Sequence, residues 1–101
     1  MTVKVVVLYT QPENPDEFER HYTEQHVPLV RSIPGLQQFE AGRLVFAADG
    51  GDLSFYRIAE LTFADQEALQ AGLASDEGKA TAADYGAIAP PGSRMLVAAV
   101  D

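Results

Sequence analysis

Two side chains in this 101-residue chain have the type and setting for proton chemistry. His26 follows Phe18 and Tyr22 at helical spacing, so it shares a face with two aromatic rings and should point inward. A partly buried imidazole titrates near neutrality and can act as a general acid or base. The same position suits a histidine bonded to a carbonyl or carboxylate that only holds its helix against a neighbour, and composition alone favours that plainer role. Asp84 is the second candidate. It lies in a stripe with Ala80, Ala83 and Ile88 that is otherwise small and apolar. A carboxylate there must find a donor or bear a heavy desolvation cost. His26, on the adjacent helix, could be that donor, which would orient the ring and raise its basicity. A backbone turn or the Tyr85 hydroxyl would satisfy it equally well. His21 sits one position before Tyr22, off the aromatic face, and is expected in solvent.

The tyrosines are Tyr9, Tyr22, Tyr56 and Tyr85. A phenol at a pocket wall can hydrogen-bond an oxygenated ligand, although more often it buries its ring and wets its hydroxyl. Arg57 breaks an apolar alternation. It could bind an anionic ligand, and a pair with Glu40 across a sheet is the more ordinary explanation. Tyr22, Tyr56, Leu29 and Arg57 are the expected substrate contacts if there is a site.

Other chemistries are excluded or unsignalled. Cysteine is absent, which removes disulfides, thiolate nucleophiles and thiolate metal sites. Two histidines cannot make a three-histidine metal centre in one chain. There is no P-loop, no GxGxxG and no nucleophile elbow, and nothing signals a haem, so no cofactor or metal is expected. The formal net charge is −8, and the seven Lys and Arg residues form no stripe. Nucleic acid and anionic membrane are therefore not expected partners. The short apolar run at the N-terminus is neither a signal-peptide core nor a membrane span, so a cytoplasmic location is expected.

Turn signals cut the chain into elements that must position these residues. Val3 to Tyr9 is a β-branched run expected to be a strand buried on both faces. Asn14 and Pro15 open a helix as N-cap and first residue, with Glu17 placed to complete the cap. Pro28 cannot donate to the carbonyl of Glu24, so a kink or restart is expected there, and Ile33-Pro34-Gly35 ends the element. Leu36 to Ala47 reads as a strand, residues 48–52 as a hairpin turn, and Ser54 to Phe63 as a third strand. Asp65 caps another helix, Ser75 restarts it through about Ala87, and Arg94 to Val100 is the last strand. The order β-α-β-β-α-β predicts one domain over residues 1–101: a ferredoxin-like α+β fold with a four-stranded antiparallel sheet and helices on one face.

A sheet bare on one face should carry polar residues there. Instead Val6 and Leu8 alternate with Val5 and Val7, Tyr56 and Ile58 with Ala59 and Leu61, and Leu96 with Met95 and Val97. An uncovered apolar face favours a second copy stacked sheet to sheet, a homodimer, over a monomer.

Tyr22-x-x-x-His26-x-Pro28-Leu29, then Ile33-Pro34-Gly35-Leu36, strongly resembles the EthD family of small dimeric α+β barrel proteins. The opening strand, the stretch from Ala59 to Asp84 and the closing apolar strand add to the likeness. The resemblance implies the ferredoxin-like fold and a dimeric α+β barrel. It also implies an association with degradation of ethers and other xenobiotics, often under the label of reductase or oxidoreductase. His26 matches the family's histidine and Asp84 its helix-two aspartate. The chain departs from relatives at Tyr85-Gly86-Ala87-Ile88, where they often carry asparagine and phenylalanine, so pocket shape does not carry over. Two functions are left open. One is an enzyme acting on a small hydrophobic, oxygenated or aromatic compound, with His26 moving a proton and Asp84 orienting it. The other is a non-catalytic small-molecule-binding or accessory module with a structural histidine.

Overall fold

The computed structural model describes residues 1–101. Its elements are β1 (Val3–Tyr9), α1 (Pro15–His21), a π-turn (Tyr22–His26), α2 (Val27–Arg31), β2 (Leu36–Arg43), β3 (Arg57–Phe63), α3 (Gln66–Ala74), α4 (Asp76–Ile88) and β4 (Arg94–Ala99). The strands form one antiparallel sheet in the order β2-β3-β1-β4, the ferredoxin-like α+β arrangement.

The helices α1, α3 and α4 each start where a side chain caps them. Asn14 accepts from the Glu17 amide at 3.2 Å, Asp65 from the Ala68 amide at 2.8 Å and Ser75 from the Gly78 amide at 3.0 Å. Ser75 also marks the corner between α3 and α4, where the backbones come very close. A Cβ on Gly78 would stand 2.2 Å from the Gly72 carbonyl oxygen, so only glycine fits there.

The break expected at Pro28 takes the form of one extra residue in the preceding turn. Val27 donates its amide to the carbonyl of Tyr22, five residues back, and Pro28 then sits in the first turn of α2. An uninterrupted α-helix would drive the proline ring into the carbonyl of Glu24 and leave that carbonyl without a donor. The looser winding lies immediately ahead of that conflict.

The core lies between helices and sheet. On that side β1 buries Val3, Val5, Val7 and Tyr9, and β3 buries Ala59, Leu61 and Phe63. Phe18, Tyr22, Val30, Ile33 and Leu69 close over them from the helical layer. The opposite face carries half-buried Val6, Leu8 and Ile58 with exposed Leu96, beside a Lys4–Glu60 ion pair of 2.9 Å. The sheet is thus apolar on both sides at its centre, although within one chain only the helix sides of β1 and β3 are fully buried.

Strand boundaries differ from expectation in the middle of the chain. β2 stops at Arg43 rather than Ala47, and β3 begins at Arg57 rather than Ser54. Residues 44–56 form a loop closed at its base by a Leu44–Tyr56 backbone bond of 2.9 Å. Val45 and Phe46 have no layer beneath them and stand 80% and 75% exposed, so burial gives no reward for extending the ladder.

Candidate active site

The site forms where the helical layer crosses β1. Asp84, on α4, accepts from two imidazoles at once. His26 Nδ1 lies 2.7 Å from Asp84 Oδ2, and His21 Nε2 lies 2.8 Å from Asp84 Oδ1. In an α-helix, side chains five apart diverge by roughly 140°. In a π-turn the main-chain bond spans five residues, which brings such side chains into register. The Tyr22–His26 π-turn therefore turns His21 and His26 toward the same carboxylate. This corrects the expectation that His21 lies free in solvent: its side chain is 31% exposed and bonded to Asp84. The helical period used to place it holds only where the winding is α.

The electrostatics fix the proton positions. Burial pushes the Asp84 carboxyl up, but hydrogen bonds from His21 and His26 outweigh it and hold the group below its ordinary value. An ionised carboxylate only accepts, so both rings donate to it. For His26, burial is the largest influence and lowers its pKa, against the opposing pull of Asp84. A neutral His26 then carries its hydrogen on Nδ1 and its lone pair on Nε2. That nitrogen faces the Tyr9 hydroxyl at 3.4 Å, a long contact. Burial raises the Tyr9 phenol far above its ordinary value and that of Tyr22 to about 12, so both stay neutral.

His26 and Tyr9 line a cavity of about 110 Å³ between helices and sheet. Thirteen of its sixteen lining residues are hydrophobic, so the imidazole is a polar feature of a mostly apolar chamber. Val5, Val7 and Leu61 form its floor, and Tyr22, Leu73 and Tyr85 are in its walls. Space survives because α4 presents Thr81 and Ala82 to the chamber, where larger side chains would fill it.

Of the expected contacts, Tyr22 lines this cavity, while Leu29, Tyr56 and Arg57 do not. Tyr22 stacks on the His26 ring with centroids 5.3 Å apart, and its hydroxyl is buried with no hydrogen-bond partner. Leu29 is half-buried on α2, whereas its neighbour Val30 reaches the chamber. Arg57 grips Glu19 with Nε 3.1 Å from Oε2 and Nη2 on Oε1, and its guanidinium lies 4.5 Å above the Tyr22 ring. Tyr56 donates to the same Glu19 at 2.9 Å. Burial pushes the Glu19 carboxyl up, and these donors outweigh it to hold it low. Arg57 thus pairs with Glu19 on α1, not with Glu40. The register explains the correction: Arg57 lies opposite Tyr9, on the helix side, while Glu40 lies opposite Glu60 on the other face.

Sequence reasoning missed Tyr9 and Tyr85 as wall residues and His21 as a partner of Asp84. Tyr9 was within reach, since it continues the inward parity of Val3, Val5 and Val7. His21 was not, because nothing in the spacing announces a π-turn.

Comparison with known proteins fits this geometry. The model for the EthD domain matches residues 10–89. A Rhodococcus erythropolis protein described as an uncharacterized 11.0 kDa protein in the thcB-thcC intergenic region is 38% identical over 93 residues, covering 92% of this chain and 89% of that one. The crystal structure of an ethyl tert-butyl ether D (EthD) family protein from Bacillus halodurans superposes with a TM-score of 0.92 at 36% identity, over 100% of both chains. More distant in sequence is SnoaB, a cofactor-independent oxygenase from Streptomyces nogalater, with a TM-score of 0.71 at 19% identity over 98% of this chain and 92% of that one. A dimeric ferredoxin-like protein from Thermobifida fusca has a TM-score of 0.74 at 17% identity, over 99% and 92%. At these identities the last two show a shared fold alone.

A pH dependence of stability follows from the site. The folded pKa of His26 lies below its ordinary 6.5, so its contribution is complete above that value and is lost as pH falls through the folded pKa. Asp84 and Glu19, both held low, act in the same sense further into acid. The urea midpoint should be flat above about pH 7 and fall on acidification, and His26→Gln should remove the first part of that fall. A midpoint that rises between about pH 7 and 5.5 would contradict this assignment.

Proposed function

The chain belongs to the EthD family, and on that premise we propose that it is an enzyme moving a proton on a small, uncharged, hydrophobic compound that is oxygenated or aromatic. The observation that carries the proposal is the His26 ring itself. Nδ1 is anchored 2.7 Å from a carboxylate, the ring lines an apolar cavity, and Nε2 meets only the Tyr9 hydroxyl, across a long 3.4 Å contact. That is the arrangement of an oriented general base.

The step is written for His26 Nε2. It takes a proton from an acidic C–H or O–H of the bound compound, and the electron pair stays on the substrate as an enolate-like anion. Asp84 stabilises the imidazolium that forms, as a buried carboxylate does for a catalytic histidine. Tyr9 and Tyr22, both neutral phenols, can donate to the oxygen that gains charge. Returning the proton to a different atom completes an isomerisation or cyclisation. With an electron-rich anion, dioxygen can form a C–O bond at the carbanion, and the imidazolium then protonates the peroxide. In sum S–H and O₂ give S–OOH, with no outside electrons. This is the form in which an oxidoreductase activity would need no cofactor. Association with xenobiotic degradation would follow from the small apolar molecules the chamber accepts. The plain alternative, a binder without turnover, is favoured by one observation: His26 is only 4% exposed, with both nitrogens facing partners inside the fold.

Deuterium exchange from heavy water into the acidic carbon of neutral 1,3-dicarbonyls, followed by NMR and taken above the uncatalysed rate, separates the readings. The enzyme reading expects exchange that falls at least ~100-fold in His26→Ala, measured at a temperature where circular dichroism shows the variant still folded. Retained binding without exchange, or exchange indifferent to His26, points to the binding module.

We further propose that two copies stack through the sheet face carrying Val6, Leu8, Ile58 and Leu96. That apolar face supports the reading, as does the dimeric assembly of the Thermobifida fusca protein. Light scattering behind a sizing column should give the mass of two chains at micromolar concentration; the mass of one chain would overturn it.

A further inference from the structure

His21 is the polar group of the site that the proton step does not use. It occupies the second oxygen of Asp84 at 2.8 Å, while His26 holds the first at 2.7 Å. Side-chain exposure rises from 5% at His26 to 15% at Asp84 and 31% at His21, so the three residues lead outward. His21 also borders an open groove between Pro12–Phe18 and the Ala87–Pro91 segment. Water from that groove would compete for Asp84 Oδ1 if the ring were removed.

A carboxylate held by one hydrogen bond can turn about its Cβ–Cγ bond and exchange its two oxygens. Held at both oxygens by rings on one rigid helical segment, it cannot turn without losing both. We propose that His21 is a positioning residue. It locks the plane of the Asp84 carboxylate so that Oδ2 stays aimed at His26 Nδ1, which keeps the His26 lone pair on Nε2, toward the cavity. The proposal rests on the reading of His26 as the base. It assigns a function to the π-turn, the winding over which His21 and His26 reach one carboxylate.

The groups that face this arrangement come from several elements. They are Tyr9 from β1, Glu17 on the same helix beside the groove, Glu13 ahead of it, and Tyr85 next to Asp84 on α4. None of them is bonded to Asp84, so its carboxylate is held by the two imidazoles.

The test needs no substrate. Two-bond ¹H–¹⁵N correlation spectra of the imidazoles, taken where His26 is neutral, report which nitrogen carries the hydrogen. The wild-type protein should show His26 with hydrogen on Nδ1. His21→Gln, which keeps an N–H donor at a similar reach, should preserve that form. His21→Leu, which keeps bulk without a donor, should raise the Nε2–H population several-fold and broaden the Nδ1–H signal. A tautomer unmoved in His21→Leu overturns the positioning role and leaves His26 standing as the base. A wild-type His26 protonated on Nε2 overturns both. Far-ultraviolet circular dichroism of each variant checks that the helix is intact, and His21→Ala, which likewise lacks a donor, takes the place of His21→Leu if that variant does not fold.

Discussion

A carboxylate set among small apolar residues on α4 is the constraint around which this structure is organised. Asp84 loses hydration on folding and regains its bonding from two imidazoles. Removing the buried His26 ring would leave an oxygen of a largely buried anion unpaired, a loss of about 1–3 kcal/mol or more for a charged group, whereas water from the groove could reach the oxygen that His21 holds. Both rings come from a helical segment that must wind loosely for five residues to present them. The loosening occurs immediately ahead of Pro28, where α-helical geometry is obstructed in any case. A backbone irregularity, a proline and a paired histidine are thus parts of one arrangement.

The second requirement is emptiness. Dense packing normally closes a gap between helices and sheet. Here Thr81 and Ala82 leave one open, and aromatic side chains frame it: Tyr9 packs edge-on against Tyr22 at 5.6 Å and Phe18 at 5.4 Å. The chamber of about 110 Å³ is comparable with the roughly 150 Å³ cavities that stay dry and admit benzene. Arg57 neutralises Glu19 and lies over the outer face of Tyr22, so it offers no countercharge to a ligand inside. An anionic ligand would meet Asp84 behind the imidazole and no cation in front of it. The chamber therefore offers no charge partner that would favour an anion over a neutral molecule.

Much of this was readable in the residues. The caps at Asn14, Asp65 and Ser75 act through local chemistry, and local chemistry is visible in a sequence. Val3 to Tyr9 is bounded by clear signals and forms the strand expected. His26 and Asp84 were legible because one shares a face with aromatic rings and the other is a charge that needs a partner. What was not legible depends on distant geometry. The partner of Arg57 is decided by which face of β3 it occupies, a matter of sheet register. Leu29 and Val30 both satisfy the helical pattern, and only the change of winding at residue 22 decides which reaches the chamber. The flanks of the loop at 44–56 look strand-like by composition, because Val45 and Phe46 carry the propensity without a layer to receive it.

The account is tested most directly at the carboxylate that everything else holds. Carbon-detected NMR titration of the Asp84 side chain in the intact fold should show it ionising below the ordinary aspartate value of 3.8, with the His26 and His21 ring signals shifting as it titrates. A carboxyl that titrates above that value would show burial prevailing over the two imidazoles, and the oriented base described above would not exist.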